Sequence, residues 1–121
     1  MSAAGWIAVA LLGGLAAVAR FALDAILSDH RIQPFPLGIL VVNLAGTLVL
    51  GVVAGAALSG EALTIVAGGV TGSFTTFSTW MLDTDRLAES DRGDLALLNL
   101  GFSLLAGFAA VAFGHWLGGL L

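Results

Sequence analysis

The sequence contains no cysteine, which excludes disulfides and thiolate chemistry and leaves the redox compartment unmarked. Charge is nearly as scarce. Asp, Glu, Lys and Arg make up 10% of the 121 residues, against about a quarter in an average soluble domain. A fold dissolved in water needs a charged exterior that this chain cannot supply. Hydrophobic residues reach 59% and the mean hydropathy is +1.05, so the outside is as apolar as the inside, which is the bilayer case. The net charge of −4 argues against nucleic acid as a partner. No nucleophile–base pair or metal-ligand cluster is present, so the chain is not read as an enzyme.

The few charges are placed where a membrane protein needs them. No ionisable side chain occurs before Arg20, between Arg31 and Glu61, or between Glu61 and Asp83, and after Asp94 only His115 can titrate. Each gap holds the ~20 apolar residues that crossing a hydrocarbon core requires. The expected fold is therefore an all-α membrane protein, a single domain over 1–121. Its four transmembrane helices are placed near Gly5–Leu27, Leu37–Leu58, Ala62–Leu82 and Leu95–Leu117. The first segment lacks the basic start and short core of a signal peptide and is read as a retained helix. Pro34 and Pro36 suit a turn and the start of the second helix. Ser59-Gly60-Glu61 is a tight hairpin turn, and 83–94 reads as an acidic polar loop.

Arg31, Arg86 and Arg92 fall on the side of the first and third loops, and Arg20 leans the same way. The side carrying the termini has no Lys or Arg. By the positive-inside rule, loops one and three face the cytoplasm, in a cell membrane crossed several times. Seventeen glycines suit close helix packing in lipid. Gly51-xxx-Gly55, Gly68-xxx-Gly72 and Gly114-xxx-Gly118 each fit the small-xxx-small pattern, including at a dimer interface. Four short helices leave little room for a pore inside one subunit, which favours an oligomer.

The chemistry concentrates in the third segment. From Thr71 to Thr79, Thr71, Ser73, Thr75, Thr76, Ser78 and Thr79 carry hydroxyls, with Gly68, Gly69 and Gly72 before or at the start of the run. Such residues are poor helix formers and their hydroxyls compete for backbone groups. The third helix is expected to break there, in mid-membrane. Exposed carbonyls at that depth suit an ion site built from helix ends. Asn43 needs a partner in hydrocarbon, either another helix or an ion. Arg20 is either paired with Asp24 at i,i+4 and snorkelling, or a fixed charge that draws an anion to a vestibule. Phe77 and Trp80 flank the tract, and aromatic ring edges are electropositive. Asn99, Ser103 and Gly107 give the last helix one small or polar face. His30 reads as a loop residue and His115, beside Trp116, as an interfacial anchor.

The run Gly72-xx-Thr75-Thr76-Phe77-Ser78-Thr79 resembles the hallmark of the Fluc (CrcB) fluoride channel family, and the likeness extends over essentially the whole chain. Gly13-Gly14 leading to Arg20 and Val42-Asn43-xx-Gly46 fit it as well. The resemblance implies an antiparallel, dual-topology dimer of inverted copies that exports fluoride passively through two narrow paths at its interface. It implies that Phe77 offers a ring edge and Asn43 an amide donor. Thr76, Thr79, Trp80 and Ser103 then lie along the path, and Arg20 near a vestibule. It also implies a structural sodium held by the backbone carbonyls of Gly72 and Thr75.

Three positions depart from the family pattern. Trp80 stands where a second phenylalanine is usual, Ile39 where threonine is common, and Asn99 where tyrosine is frequent. The one-sided arginines leave two assemblies open, a dual-topology homodimer, which is favoured, or a heterodimer with an oppositely oriented paralogue. Rival readings are a small multidrug-resistance-type exporter, which needs a membrane-embedded carboxylate, and a non-transporting membrane subunit of a complex.

Overall fold

The computed structural model describes residues 1–29 and 34–121, and every regular element among them is helical. In chain order these are α1 (Ala3–Leu27), α2 (Leu37–Gly55), α3 (Gly60–Leu63), a π-helical stretch (Thr64–Thr71), α4 (Gly72–Phe74), α5 (Phe77–Glu89) and α6 (Gly93–Gly119). His30 and Arg31 lie outside the described residues.

Helices α1, α2 and α6, with 25, 19 and 27 residues, are long and apolar enough to cross a membrane. Their outward surfaces agree with that: Phe21 is 77% exposed, Leu105 71% and Trp116 59%. The buried apolar set is small, made of Ala16, Ile39, Val42, Leu87 and Ala96. Most of the large apolar side chains point outward, the reverse of a water-soluble core. The chain is a multi-pass membrane protein.

Polar clasps tie the helix ends together. Ser2 caps α1 by accepting from the Gly5 N–H, and its own N–H and hydroxyl donate to Glu61 at the start of α3. At the far end of α1 the Ser28 hydroxyl donates to Asp24 and accepts the N–H of Gly38, which fixes the entry of α2. Between α2 and α3 the chain reverses through Ala57 and Gly60, both with positive φ.

The closest helix crossing is α2 on α6. A Cβ on Gly51 or Gly55 would strike the backbone of Val111 or His115, and one on Gly114 or Gly118 would strike Leu48 or Val52. Two of the three small-xxx-small patterns are therefore consumed inside the subunit, where bare backbones must touch. The third, Gly68-xxx-Gly72, meets no neighbouring helix: Gly68 has open space and Gly72 only the Ala67 carbonyl.

The expected polar loop over 83–94 is mostly helix. Helix α5 runs on to Glu89, and the turn is confined to Ser90–Arg92, with Asp91 at φ 58°. Asp83 and Leu87, one turn apart, are buried, while Asp85, Arg86 and Glu89 are exposed. The helix is amphipathic there and emerges into water, so acidic composition marks the end of the apolar span and not the end of the helix.

Candidate functional site

The third segment breaks within the hydroxyl tract. Thr75 (φ −80°, ψ 156°) and Thr76 (φ −147°, ψ 124°) are extended, with helix on either side. On the N-terminal side the Thr75 N–H and hydroxyl both donate to the carbonyl of Thr71, at 3.0 and 2.9 Å. On the C-terminal side Thr76 is the N-cap of α5, its hydroxyl accepting the N–H of Thr79 at 3.2 Å. Threonine suits both tasks because a hydroxyl competes well for backbone groups at a helix end.

Asn43, on α2, holds the opening. Its Nδ2 donates to the Thr76 carbonyl at 3.0 Å, and its Oδ1 accepts the Thr76 N–H at 2.8 Å. The interhelical reading of Asn43 is thus realised, with one of its two amide protons left over. These bonds divert donors from the helical ladder. The Thr76 N–H, which would serve the Gly72 carbonyl in a continuous helix, goes to Asn43. The Thr79 N–H, which would serve Thr75, goes to the Thr76 hydroxyl. The carbonyls of Gly72 and Thr75 thus lose the donors a continuous helix would give them, as do those of Ser73 and Phe74 across the break.

Helix α6 supplies the opposite wall. The Trp80 indole N–H donates to the Asn99 carbonyl at 3.1 Å, and the Asn99 amide donates to the Thr84 hydroxyl at 2.9 Å. The Ser103 hydroxyl donates to Asn99 Oδ1 at 3.3 Å. Asn99 is 1% exposed and binds α5 to α6. Phe77 and Trp80 meet edge to face, with centroids 5.7 Å apart and planes at 83°.

These elements enclose a groove of about 400 Å³. Of the residues named from the sequence, Asn43, Thr71, Thr75, Thr76, Phe77, Trp80, Ser103 and Gly107 line it. Thr79 supports the break through Thr76 instead, and Gly72 is exposed and does not line the groove. Arg20 is half-buried on α1, away from the groove. It makes no ion pair with Asp24, whose carboxylate takes the Ser28 hydroxyl. The sequence reading missed Thr47 and Phe108, which also line the groove. Thr47 was findable, since it follows Asn43 by one helical turn.

A family model described as CrcB-like protein, Camphor Resistance (CrcB), matches residues 7–115. The chain is 45% identical to the fluoride-specific ion channel FluC 2 of Mycolicibacterium paratuberculosis over 116 residues, 96% of this chain and 95% of that one. It is 41% identical to FluC 2 of Mycobacterium tuberculosis over 117 residues, 97% of this chain and 93% of the relative. With FluC of Solidesulfovibrio magneticus it shares 39% over 118 residues, covering 93% and 94% of the two chains.

Proposed function

The chain belongs to the CrcB family, and we propose that it is a fluoride-selective channel through which cytoplasmic fluoride leaves the cell passively. The observation that carries this reading is the groove at the broken helix, where an uncommitted amide proton and an aromatic ring share one wall. Fluoride is small and holds its water tightly, so a selective path must replace that water with donors yet let the ion go. Asn43 has one N–H to offer after clasping Thr76. Phe77 is 69% exposed in the single chain, and its ring edge supplies positive potential without a charge that would trap the ion. No carboxylate lines the groove to repel an anion or to couple protons to a cationic drug.

A lone subunit leaves this path unfinished. Phe77, Leu104 and Phe108 line the groove and are 69%, 52% and 64% exposed, so its polar atoms face outward where lipid would lie. Polar groups do not line an opening to hydrocarbon unless protein or water covers them. A second, inverted copy of this chain covers them in our reading, giving an antiparallel dimer of four-span subunits. The unoccupied surface at Gly68 and Gly72 supports close approach of that copy. Arg20, without a salt bridge among the described residues, serves as vestibule charge.

The released carbonyls of Gly72 and Thr75 suit a hard monovalent cation, which takes oxygen ligands from unwound helices. A sodium bound there would supply a fixed positive charge at the dimer axis. Gly72 has no side chain to obstruct it, and Asn43 and Thr76 keep the two carbonyls free.

The test is to purify this chain alone, measure its oligomeric state in detergent, and follow fluoride efflux from liposomes with an electrode. A dimer that releases fluoride supports the reading. A monomer that conducts only after a paralogue is added would replace the homodimer with a heterodimer, and a silent dimer would remove the channel.

A further inference from the structure

Hydroxyl protons in an apolar protein need acceptors, and at the groove one hydroxyl has none. Thr47, Thr64, Thr75 and Thr84 each donate to the carbonyl four residues back, at 2.6, 3.3, 2.9 and 2.8 Å. Thr76 donates to Thr79 and Ser103 to Asn99. Each of these side chains has a single proton and has committed it within the protein. Thr71 has not. Its residue is 6% exposed, and its Oγ1 is buried with no hydrogen-bond partner.

The exception falls at the end of the π-helical stretch. Thr71 is its last residue, and the acceptor one turn back, the Ala67 carbonyl, takes the N–H of Gly72 five residues on. The usual threonine bond to the i−4 carbonyl is not made. A π turn inside a helix often marks a functional position. Thr71 lines the same groove as Asn43, Phe77 and Ser103.

We propose that Thr71 is a further anion-binding residue, whose uncommitted hydroxyl donates to fluoride in the groove beside the second amide proton of Asn43. The inference rests on the channel reading given above. Helical threonine has two χ1 wells, and no hydrogen bond holds this buried hydroxyl in either, so it can turn toward an ion without giving up an acceptor. Every other hydroxyl named above would have to give up an acceptor first. With its proton uncommitted, the hydroxyl can donate to an ion that accepts hydrogen bonds.

Fluoride efflux from liposomes, with thermal unfolding of the same preparations, tests this through wild type, Thr71→Val, Thr71→Ala and Thr71→Ser. The two variants without a hydroxyl should lose about tenfold in efflux, the effect of removing one hydrogen bond to a charged group. Serine should restore transport to within about twofold of wild type, and valine should unfold no earlier, because it removes a buried unpaired group. Should valine fail to fold, alanine carries the same deletion. Valine or alanine conducting like wild type would overturn the proposal and leave Thr71 a buried hydroxyl served by water. Loss in serine as large as in valine would assign a packing role and overturn it too. Wild type that passes no fluoride would overturn the channel reading and this inference together, whereas a conducting wild type with unaffected variants overturns this inference alone.

Discussion

The carboxamide of Asn43 grips both backbone groups of Thr76, donating to the carbonyl at 3.0 Å and accepting from the N–H at 2.8 Å. One side chain on α2 thereby clasps the opened third helix and retains one uncommitted amide proton. In the proposed channel, the structural and ion-binding roles that the sequence left as alternatives would coincide in one amide.

Asn43→Ala should separate them from the fold's side. It leaves the Thr76 N–H and carbonyl without partners, which costs about 1–3 kcal/mol for each group that water cannot reach. Thermal unfolding should shift downward and fluoride efflux should fall together. Asn43→Asp keeps the acceptor for the Thr76 N–H but sets a carboxylate against the Thr76 carbonyl and the anion, so efflux should fall further than stability. Equal stability and flux in both variants would contradict the clasp.

Phe77→Ile removes the aromatic edge and keeps an apolar side chain of similar reach. Because Phe77 is 69% exposed in the subunit, unfolding should change by no more than about 1 kcal/mol. Efflux should drop by about tenfold or more, since no electropositive ring edge remains. Unchanged fluoride efflux with unchanged stability would remove Phe77 from the path.

Trp80→Phe should behave differently from Phe77→Ile. The indole N–H is committed to the Asn99 carbonyl, so it should contribute little to anion binding. Its loss should cost about 1 kcal/mol of stability and leave fluoride efflux equal or higher. A large loss of efflux with intact stability would show that the indole donates to the ion after all.

Much of this was legible in the sequence. Charge gaps located the apolar spans, because an ionisable group is expensive in hydrocarbon and an apolar run is not. Six hydroxyls between Thr71 and Thr79 located the break, because those side chains offer backbone groups an alternative to the helix. The end of α5 was hidden, since Asp83 and Leu87 continue a helical face through residues whose charge suggested a loop. The use of the glycine patterns was hidden as well. Gly51 and Gly114 look the same as Gly68 in sequence, and only the crossing of α2 on α6 shows which backbones touch. The Trp80–Asn99 bond was illegible for the same reason: two unusual residues 19 positions apart give no local signal that they compensate.

The glycines give a prediction that divides subunit from assembly. Gly118→Ala drives a methyl into the backbone of Val52 and Ala56 and should destabilise the subunit by about 1–3 kcal/mol, lowering the yield of folded protein. Gly68→Ala meets open space within the chain and should leave the subunit intact. If the inverted copy packs there, that variant should shift only the monomer–dimer balance, read by size-exclusion chromatography at several protein concentrations.

The central claim is that the groove at the broken helix passes fluoride and rejects larger anions. Liposomes loaded with equal fluoride and chloride and carrying only this chain measure it most directly, with both ions followed by electrode. The account predicts rapid fluoride release while chloride is retained until detergent is added. Parallel release of the two anions, or retention of both, would contradict it.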